Sequence, residues 1–362
     1  MADESYIQLT LELAKRGIGK VSPNPLVGCV ITKNNKIIGA GFHTKYGDDH
    51  AEINAINSTQ ETLEGSTLYV NLEPCSHYGN TPPCVDRIIR EKIKRVVIGT
   101  LDVNPLVNGK SIKKLKDAGV EVKAGLLEKE CIELNKFFFK LISKKLPYVT
   151  LKAAATLDGK IADVNSNSEW ISSSESRKYV HSLRNKYDAV LIGANTALID
   201  NPQLTVRHID GRNPWRIILD TKLSLPLNLK LFQKNFDKRT VLVISENGLK
   251  KKRKLGELEK IGVKIIIVKK QVNNKTDLKF LLKELAKLNI TSVLVEGGSK
   301  IFTSFIKQKL FDDLLVFISP KLIGEGVLVI QNIGINSIKD AINLKLKSCE
   351  VIADDIIAEY VL

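Results

Sequence analysis

The chain has 362 residues and carries 55 basic against 40 acidic side chains, a formal charge of +15. Its hydrophobic content of 43% and charged content of 26% exclude a disordered or fibrous protein, and its length favours about two domains. No uncharged run is long enough for a membrane helix, so no membrane partner is expected. The N-terminal residues lack a basic, apolar leader and the five cysteines suggest no disulfide scaffold, which favours a cytoplasmic protein.

The positive charge is concentrated in one segment of the chain. Residues 222–289 contain most of the excess, mainly as lysine, and few aromatic residues. Recognition of nucleic acids favours arginine forks and stacking rings instead. We interpret the segment as a solvated lysine-rich surface, with a polyanion-binding patch as the alternative. Glutamine at several of these lysines is expected to change activity very little.

Apolar spacing in the first part of the chain predicts alternating helices and strands. A helix over Ser5–Arg16 follows Asp3 as a candidate cap, and the runs Leu26–Ile31 and Ile37–Gly41 flank a hairpin turn. Strands separated by helices indicate an α/β layered sheet. The further predicted strands are Thr67–Leu72 and Arg95–Gly99, and the further predicted helices are Ala51–Asn57, Cys84–Glu91, Lys110–Ala118 and Leu126–Lys140.

The pattern restarts near residue 146, which predicts one domain over residues 1–146 and a second over 147–362. Pro147 ends a helix, and Tyr148–Ala155 begins a new strand. Six later apolar runs fit a second α/β sheet. They are Ala189–Gly193, Arg216–Asp220, Val241–Ser245, Val263–Val268, Ser292–Glu296 and Leu314–Ser319.

Three potential zinc ligands lie at the ends of predicted elements in the first domain. His50 begins a helix, Cys75 follows a strand and Cys84 opens another helix. One imidazole and two thiolates suit Zn²⁺, and three protein ligands leave one position for water, as in catalytic sites. Glu52, two residues after the histidine, is expected to move protons beside a zinc-bound hydroxide.

Two other interpretations of these residues remain open. The cysteines could be buried apolar residues with no metal, because free cysteine often behaves as a small hydrophobe. Alternatively, the zinc could be structural and closed by a fourth ligand, for which His43, His77 and Cys29 are candidates.

The spacing of these residues points to a particular kind of deaminase. H-x-E followed by two P-C pairs is the layout of zinc-dependent base deaminases, but eight residues separate the cysteines here instead of the usual two. With PNPLVG at residues 23–28 and PCSHYGNTPPC at 74–84, the chain resembles the RibD family of bifunctional riboflavin-biosynthesis proteins. The resemblance implies a cytidine-deaminase-like three-layer domain that deaminates a diaminopyrimidinone ribosylamine phosphate.

The resemblance also implies substrate contacts in this domain. It places Asn24 and His43 at the pyrimidine or its sugar, and His77, Asp102 and Asn104 near the ribose phosphate. The family usually has Lys or Arg where this chain has Asn80, which can donate a hydrogen bond but carries no charge. Phosphate recognition is then expected to depend on His77 or on lysines elsewhere.

The second half of the chain contains several weak signals that agree with one another. A strand ends in the tight turn 157–160, and residues 293–299 read as a strand, a double glycine and the start of a helix, which suits a phosphate but also occurs without any ligand. No G-x-G-x-x-G fingerprint follows the first strand. Together the segments resemble the reductase domain of the RibD family, which implies a dihydrofolate-reductase-like α/β domain that uses NADPH.

The same resemblance implies two sets of site residues in this domain. Those expected at NADPH are Ala154, Trp170, Thr196, Asp200, Thr221, Gly298, Ser299, Lys300, Ile301, Phe302, Thr303 and Ser304. Those expected to hold the substrate are Ser168, Arg184, Leu204, Arg207 and Glu296. Arg184 and Arg207 could fork a 5′-phosphate, with exposed surface positions as the alternative, and Trp170 could instead be a core aromatic.

We therefore predict a bifunctional enzyme that first hydrolyses a C–N bond with zinc and then reduces the ribosyl side chain to ribityl with NADPH. Its partners would be small phosphorylated pyrimidines and, by analogy, a second copy in a homodimer, with no nucleic acid. One alternative is a nucleic-acid or nucleoside deaminase whose basic second domain is not a reductase. Another is a zinc-stabilised binding protein without catalysis, for which Glu52→Gln would leave function intact.

Overall fold

A computed structural model describes residues 2–78, 82–268 and 276–362. The chain divides into two compact units, the first ending at Lys145 and the second beginning at Leu146. Within the described ranges, none of the helices has the length and apolar character needed to cross a membrane.

The first unit contains six helices and five strands among its described residues. They are α1 (Asp3–Lys15), β1 (Gly28–Lys33), β2 (Lys36–Phe42), α2 (Ala51–Asn57), β3 (Thr67–Leu72), α3 (Cys84–Arg90), β4 (Arg95–Thr100), α4 (Lys110–Asp117), β5 (Glu121–Ala124), α5 (Glu128–Leu134) and α6 (Lys136–Lys144).

These elements form three layers around one sheet of order β2-β1-β3-β4-β5. The strand β1 is antiparallel to both neighbours, whereas β3, β4 and β5 are parallel. Because successive side chains point to opposite faces, Cys29 and Ile31 pack with α2, α3 and α4, while Val30 packs with α1 and α5. The three-layer arrangement predicted for this part of the chain is confirmed.

The predicted cap of the first helix is wrong. The helix begins at Asp3, and its N-cap residue Ala2 makes no side-chain capping bond. The Asp3 carboxylate instead accepts two hydrogen bonds of 2.9 Å from Arg95 and one of 3.0 Å from the Tyr69 hydroxyl. These partners lie on β3 and β4, so the short polar side chain ties the helix to the sheet rather than capping its own backbone.

The single helix predicted over Leu126–Lys140 is two helices that meet at Asn135. The Asn135 side chain accepts a 2.7 Å hydrogen bond from the Leu26 amide and donates one of 2.9 Å to the Leu26 carbonyl. This residue is 3% exposed. Burying its amide with both groups bonded to a distant backbone segment determines where α5 ends and α6 begins.

The second unit has eleven strands and six α-helices among its described residues. They are β6 (Tyr148–Thr156), β7 (Lys160–Ala162), α7 (Ser174–Lys186), β8 (Ala189–Gly193), α8 (Ala194–Asp200), β9 (Trp215–Leu219), α9 (Lys230–Gln233), β10 (Thr240–Ser245), α10 (Lys252–Lys260), β11 (Lys264–Val268), α11 (Leu278–Lys287), β12 (Ser292–Gly297), α12 (Ser299–Lys307), β13 (Asp313–Ser319), β14 (Val327–Leu328), β15 (Lys345–Ile352) and β16 (Asp355–Val361).

Nine of these strands form one sheet of order β11-β10-β9-β8-β12-β6-β13-β16-β15. The run from β11 to β13 is parallel, and β16 and β15 continue it antiparallel. Buried aliphatic side chains of the parallel strands pack against α11 and α12 in one core. Ligands of such sheets bind beyond the carboxyl ends of the strands, which here follow Gly193, Leu219, Ser245 and Gly297.

The C-terminal hairpin of β15 and β16 was not predicted by apolar patterning. All but the last residue of β15 are exposed, so the strand lacks the alternation of buried and exposed positions that identifies a half-buried strand. Its pairing with β16, which itself pairs with β13, holds it in the sheet.

Candidate functional site

The side chains of His50, Cys75 and Cys84 converge in the first unit. Their ligand atoms all lie within 4.8 Å of one another, and His50 Nδ1 is 3.5 Å from Cys75 Sγ and 3.3 Å from Cys84 Sγ. In the described ranges no other set of three or more His, Cys, Asp or Glu side chains is close enough to share an ion. A closed structural site therefore finds no fourth protein ligand among the described residues.

The fold places each of these three residues at the end of an element. His50 is the N-cap residue of α2, Cys75 follows β3, and Cys84 is the first residue of α3. The Cys84 amide donates a 3.2 Å hydrogen bond to Cys75 Sγ. The helix α2 lies directly on β2, since a Cβ added to Gly41 would overlap the Ala55 backbone nitrogen.

The donor set fits zinc. Hydrogen bonds from Cys84 and His50 lower the pKa of Cys75 to about 4, so this thiol is ready to ligate as a thiolate. Separations of 3.3 and 3.5 Å between donor atoms are what two bonds of about 2.0–2.3 Å to one ion can span. One nitrogen and two sulfur donors with no fourth ligand leave a coordination position for a reactant.

Glu52 lines one cavity together with His50 and Cys75. Its side chain is on α2 and is 3% exposed. Burial raises the pKa of this carboxyl, which favours a group that can both take and return a proton.

The cavity gathers every deaminase-domain residue that the sequence analysis assigned to substrate, apart from Asn80. Asn24, His43, His77, Asp102 and Asn104 all line it together with His50, Glu52 and Cys75. Asn80 lies outside the described residues. His77 also has a buried Nδ1 with no hydrogen-bond partner among the described residues, so one of its ring nitrogens remains to be paired.

A chain of hydrogen bonds orients two of these side chains. His43 Nδ1 lies 3.0 Å from the Asp49 carbonyl, and His43 Nε2 lies 3.2 Å from Asn24 Nδ2. Burial lowers the pKa of His43, which favours the neutral ring. In that form Nδ1 donates a hydrogen bond to the Asp49 carbonyl, and Nε2 accepts one from the Asn24 side-chain NH₂. The oxygen of the Asn24 side-chain amide is then available to a ligand.

Glu73 and Phe138 are among the cavity residues that the sequence analysis missed. Glu73 is buried and accepts hydrogen bonds from the Asp102 and Gly109 amides at 3.2 and 3.1 Å, and also from the Ser111 hydroxyl. It thereby holds the loop that carries Asp102, whose pKa burial raises to about 6. Phe138 of α6, the helix that begins after Asn135, lines the same cavity.

In the second unit, the loop after β12 has the form of a phosphate cradle. Gly297 and Gly298 have φ values of +146° and +85°, a region that favours glycine. A Cβ on Gly298 would lie 3.1 Å from Thr196 Oγ1, so the two predicted NADPH residues are neighbours. Ser299 Oγ is buried without a hydrogen-bond partner among the described residues. These groups fit a bound phosphate at the start of α12.

Not all of the run from residue 298 to 304 faces one ligand. Phe302 is 1% exposed and packs in the hydrophobic core, and the Thr303 hydroxyl donates to the Ser299 carbonyl at 2.7 Å. An α-helix completes one turn every 3.6 residues, so only residues of the first turn of α12 can face the cradle. Lys300, Ile301 and Ser304 lie on the same helix, and the Ser304 hydroxyl donates to the Lys300 carbonyl at 2.8 Å.

Arg184 and Glu296 form a buried ion pair at the carboxyl end of β12. Arg184 Nε and Nη2 donate to the two carboxylate oxygens at 2.8 and 2.7 Å, and the side chains are 12% and 8% exposed. Although burial alone would raise the pKa of Glu296, the guanidinium lowers it. Arg184 is therefore not an exposed surface residue, and its Nε and Nη2 donors are not free to bind a phosphate.

Breaking this pair should cost the second unit much of its stability. Arg184→Met leaves a buried carboxylate unpaired, and we expect the free energy of unfolding to fall by about 3–5 kcal/mol. Urea titration followed by tryptophan fluorescence measures this, because both tryptophans, Trp170 and Trp215, lie in the second unit. The double variant with Glu296→Leu should recover most of the loss, and equal losses in both would contradict a coupled pair.

The remaining predicted residues of the reductase domain occupy varied surroundings. Ser168 Oγ donates to Asp200 Oδ1 at 3.4 Å, and Arg207 Nη1 donates to the Thr205 hydroxyl at 3.2 Å. Trp170 is 60% exposed with the Arg177 guanidinium 4.3 Å from its ring, so it is not a core residue. Ala154 lies on β6, Thr221 follows β9, and Leu204 is buried.

Lys152 of β6 was also missed by the sequence analysis. Its ammonium lies 4.9 Å from the centre of the Phe317 ring. Burial lowers its pKa, while the Glu296 carboxylate opposes that shift, so this lysine faces the Arg184–Glu296 pair. The sequence did contain a signal for this residue, because a lysine on a central strand seldom lies there without a partner.

Comparison with known proteins identifies both halves of the chain. Residues 147–358 match the RibD C-terminal domain, and residues 1–100 match the cytidine and deoxycytidylate deaminase zinc-binding region. RibD of Aquifex aeolicus (strain VF5) is 46% identical over 356 residues, which cover 98% of this chain and 97% of that protein. RibD of Escherichia coli (strain K12) is 34% identical over 371 residues, covering 98% of each.

Solved structures agree over nearly the whole length. A deaminase/reductase of Thermotoga maritima is 38% identical with a TM-score of 0.85, covering 99% of this chain and 98% of that one. RibD of Acinetobacter baumannii is 35% identical with a TM-score of 0.90 and the same coverage. The predicted fold classes, zinc and NADPH are therefore confirmed. The chain belongs to the RibD family of riboflavin biosynthesis, enzymes that join a zinc-dependent pyrimidine deaminase to an NADPH-dependent reductase.

Proposed function

We propose that the first unit deaminates a diaminohydroxyphosphoribosylaminopyrimidine and that the second reduces the resulting 5-amino-6-(5-phosphoribosylamino)uracil, the reactions in the name of the similar Thermotoga maritima enzyme. The observation that carries this proposal is the convergence of His50, Cys75 and Cys84 on the cavity that also holds Glu52. Residues 1–146 would form the deaminase domain and 147–362 the reductase domain.

In the deaminase cavity, His50, Cys75 and Cys84 would hold zinc, which acts when bound as a Lewis acid that lowers the pKa of water. Glu52 would accept a proton from the attacking water and deliver it to the departing amino group. Water thus replaces the amino group, ammonia leaves, and the carboxylate returns to its starting state. The buried position of Glu52 keeps both transfers away from bulk water.

The other cavity residues would orient the substrate. The Asn24 amide, fixed by the chain through His43, would bind the pyrimidine edge. His77, whose Nδ1 has no partner among the described residues, would bind the ribose phosphate, and Asp102 and Asn104 would contact the sugar. The Asp102 carboxyl accepts from the Asn104 amide at 2.7 Å, which fixes their relative position.

In the reductase unit, NADPH supplies the hydride when bound. The backbone at Gly298 and Ser299 would hold its pyrophosphate, with Thr196 beside them. Arg207 would bind the substrate 5′-phosphate, because its only side-chain partner among the described residues is the Thr205 hydroxyl. Arg184 would then hold Glu296 in place for the pyrimidine ring, with Ser168 and Leu204 completing that side.

The partner and location assignments are part of this proposal. A homodimer is supported by the outer strand β15, which exposes Leu346 and Val351. A reducing cytoplasm is supported by the five free cysteines, two of which must stay reduced so that they can ligate zinc as thiolates. Small phosphorylated pyrimidines rather than nucleic acid are supported by a cavity enclosed by residues of one unit.

Mass spectrometry of the products tests the order of the two reactions. The purified chain without NADPH should convert the diaminopyrimidine only to the deaminated, unreduced product. With NADPH added, the ribitylated product should accumulate. A reduced product that keeps both amino groups would contradict the proposed order, and no deamination at all would contradict the role of the cavity.

A further inference from the structure

The lysine-rich segment reaches the carboxyl edge of the second sheet at one point. The loop after β9 runs over residues 220–225, and the Thr221 carbonyl accepts hydrogen bonds from the Ser245 amide and hydroxyl at 3.0 and 2.7 Å. The ends of β9 and β10 are thereby joined. The phosphate cradle at Gly298 lies after β12, two strand spacings or about 10 Å from β9.

This loop is held rigidly by its own contacts. Asp220 is buried and accepts hydrogen bonds of 2.9 Å from the Ser224 hydroxyl and the Leu225 amide. Leu223 is fully buried with a φ of +50°. A buried side chain on a left-handed residue fixes the direction in which the Leu223 carbonyl points.

Two lysines converge on that one carbonyl. Lys251 Nζ and Lys254 Nζ donate to the Leu223 oxygen at 3.0 and 3.1 Å. The two ammonium groups therefore lie no more than about 6 Å apart, within the range where like charges repel appreciably. Burial and the neighbouring Lys251 lower the pKa of Lys254, while Asp220 opposes that shift.

Asp220 acts on Lys254 through its charge, but in the described part of the chain no carboxylate contacts either lysine. Neither lysine forms an ion pair there, and both Asp220 oxygens already accept hydrogen bonds within the loop. Each ammonium has three donors and uses one on Leu223, so two donors on each remain. Two positive charges held together without an ion-pair contact are suited to a doubly charged anion such as a phosphate monoester.

We propose that Lys251 and Lys254 bind the 2′-phosphate of NADPH and give the reductase unit its selectivity for NADPH over NADH. The inference rests on the proposed function, which places the pyrophosphate at Gly298. From there the adenosine would extend along the carboxyl edge of the sheet past Thr196 and Thr221. The separation of about 10 Å between β12 and β9 is of the same order as the distance between the 5′-phosphate and the 2′ position of adenosine. The 2′-phosphate would then reach the lysine pair beyond β9.

Calorimetric titration with adenosine 2′,5′-bisphosphate and with AMP tests the pair without any turnover. In the Lys251→Gln/Lys254→Gln variant, the dissociation constant of the bisphosphate should rise by about 10- to 100-fold, with AMP and NADH unchanged. The double arginine variant should retain the preference for the bisphosphate. Lys234→Gln/Lys260→Gln is the matched control, because it removes the same charge from exposed positions near the opposite edge of the sheet.

Several results would overturn the proposal. Equal weakening of the bisphosphate and AMP would mean that the lysines only support the loop, and no weakening would mean that the 2′-phosphate binds elsewhere. Displacement of the bisphosphate by a single-stranded RNA would assign the pair to a polyanion patch. If the wild-type protein binds neither NADPH nor NADH, the proposed function of the second unit fails instead.

Discussion

Replacing Glu52 by glutamine should lower the rate of deamination by about 10²–10⁴-fold. Glutamine keeps the size and polarity of the buried side chain but cannot carry a proton between water and the departing amino group. Zinc content should stay at the wild-type level, because Glu52 is not among the three converging ligands. Ammonia release gives the rate, and metal analysis of the same sample gives the zinc content.

Two controls make this result specific. Glu61→Gln changes an exposed glutamate in the same unit and should leave deamination unchanged. The Glu52 variant should also reduce the deaminated intermediate with NADPH at the wild-type rate, since that site lies in the other unit. Full deaminase activity in the Glu52 variant would favour a zinc-stabilised protein whose function does not need a proton carrier.

Replacing Cys75 by serine should remove both zinc and deaminase activity while leaving reduction of supplied intermediate intact. Of the three ligands, Cys75 has the lowest pKa, about 4, and its sulfur also accepts a hydrogen bond from the Cys84 amide. A serine hydroxyl is a poor substitute, because zinc prefers a thiolate to a neutral oxygen donor. Metal analysis, ammonia release and NADPH oxidation on one preparation measure the three quantities.

The exposed Cys349 supplies the matched control for this change. Cys349→Ser should retain zinc and both activities. Treatment of the wild-type protein with a chelator should abolish deamination, and added zinc should restore it, whereas added zinc should not rescue Cys75→Ser. Deamination by metal-free protein would be incompatible with the assigned centre.

The residues that the sequence located best are those at the ends of elements. His50 and Cys84 lie at the starts of helices and Cys75 follows a strand, as the sequence analysis predicted. The other parallel strands of both sheets were predicted for a similar reason, because short buried apolar runs between helices are distinctive. The exception is β5 (Glu121–Ala124), which has no fully buried residue and was not predicted.

What the sequence could not reveal depends on contacts between distant segments. Glu73 follows a predicted strand, yet nothing local shows that it holds the loop of Asp102. Phe138 lines the cavity from a helix that begins after Asn135, whose hydrogen bond to Leu26 joins segments more than 100 residues apart. Asp3 was misread for the same reason, since a cap and a partner for Arg95 have the same local sequence.

The contacts of the reductase residues could not be deduced from the family resemblance and are seen only in the structure. Arg184 was expected to fork a phosphate, but its Nε and Nη2 donors are engaged by Glu296. Among the described residues, Arg207 has only the Thr205 hydroxyl as a side-chain partner. The charge of residues 222–289 was expected to be a surface property throughout. The convergence of Lys251 and Lys254 on Leu223 separates two lysines from that set.

The central claim is that one chain carries out both reactions in sequence. It is tested most directly by measuring ammonia release and NADPH oxidation together in a single sample of purified protein supplied with the diaminopyrimidine. We expect ammonia to appear first and NADPH consumption to follow until one NADPH is oxidised for each ammonia released. Ammonia release without any oxidation of NADPH, with the deaminated product accumulating, would contradict the claim.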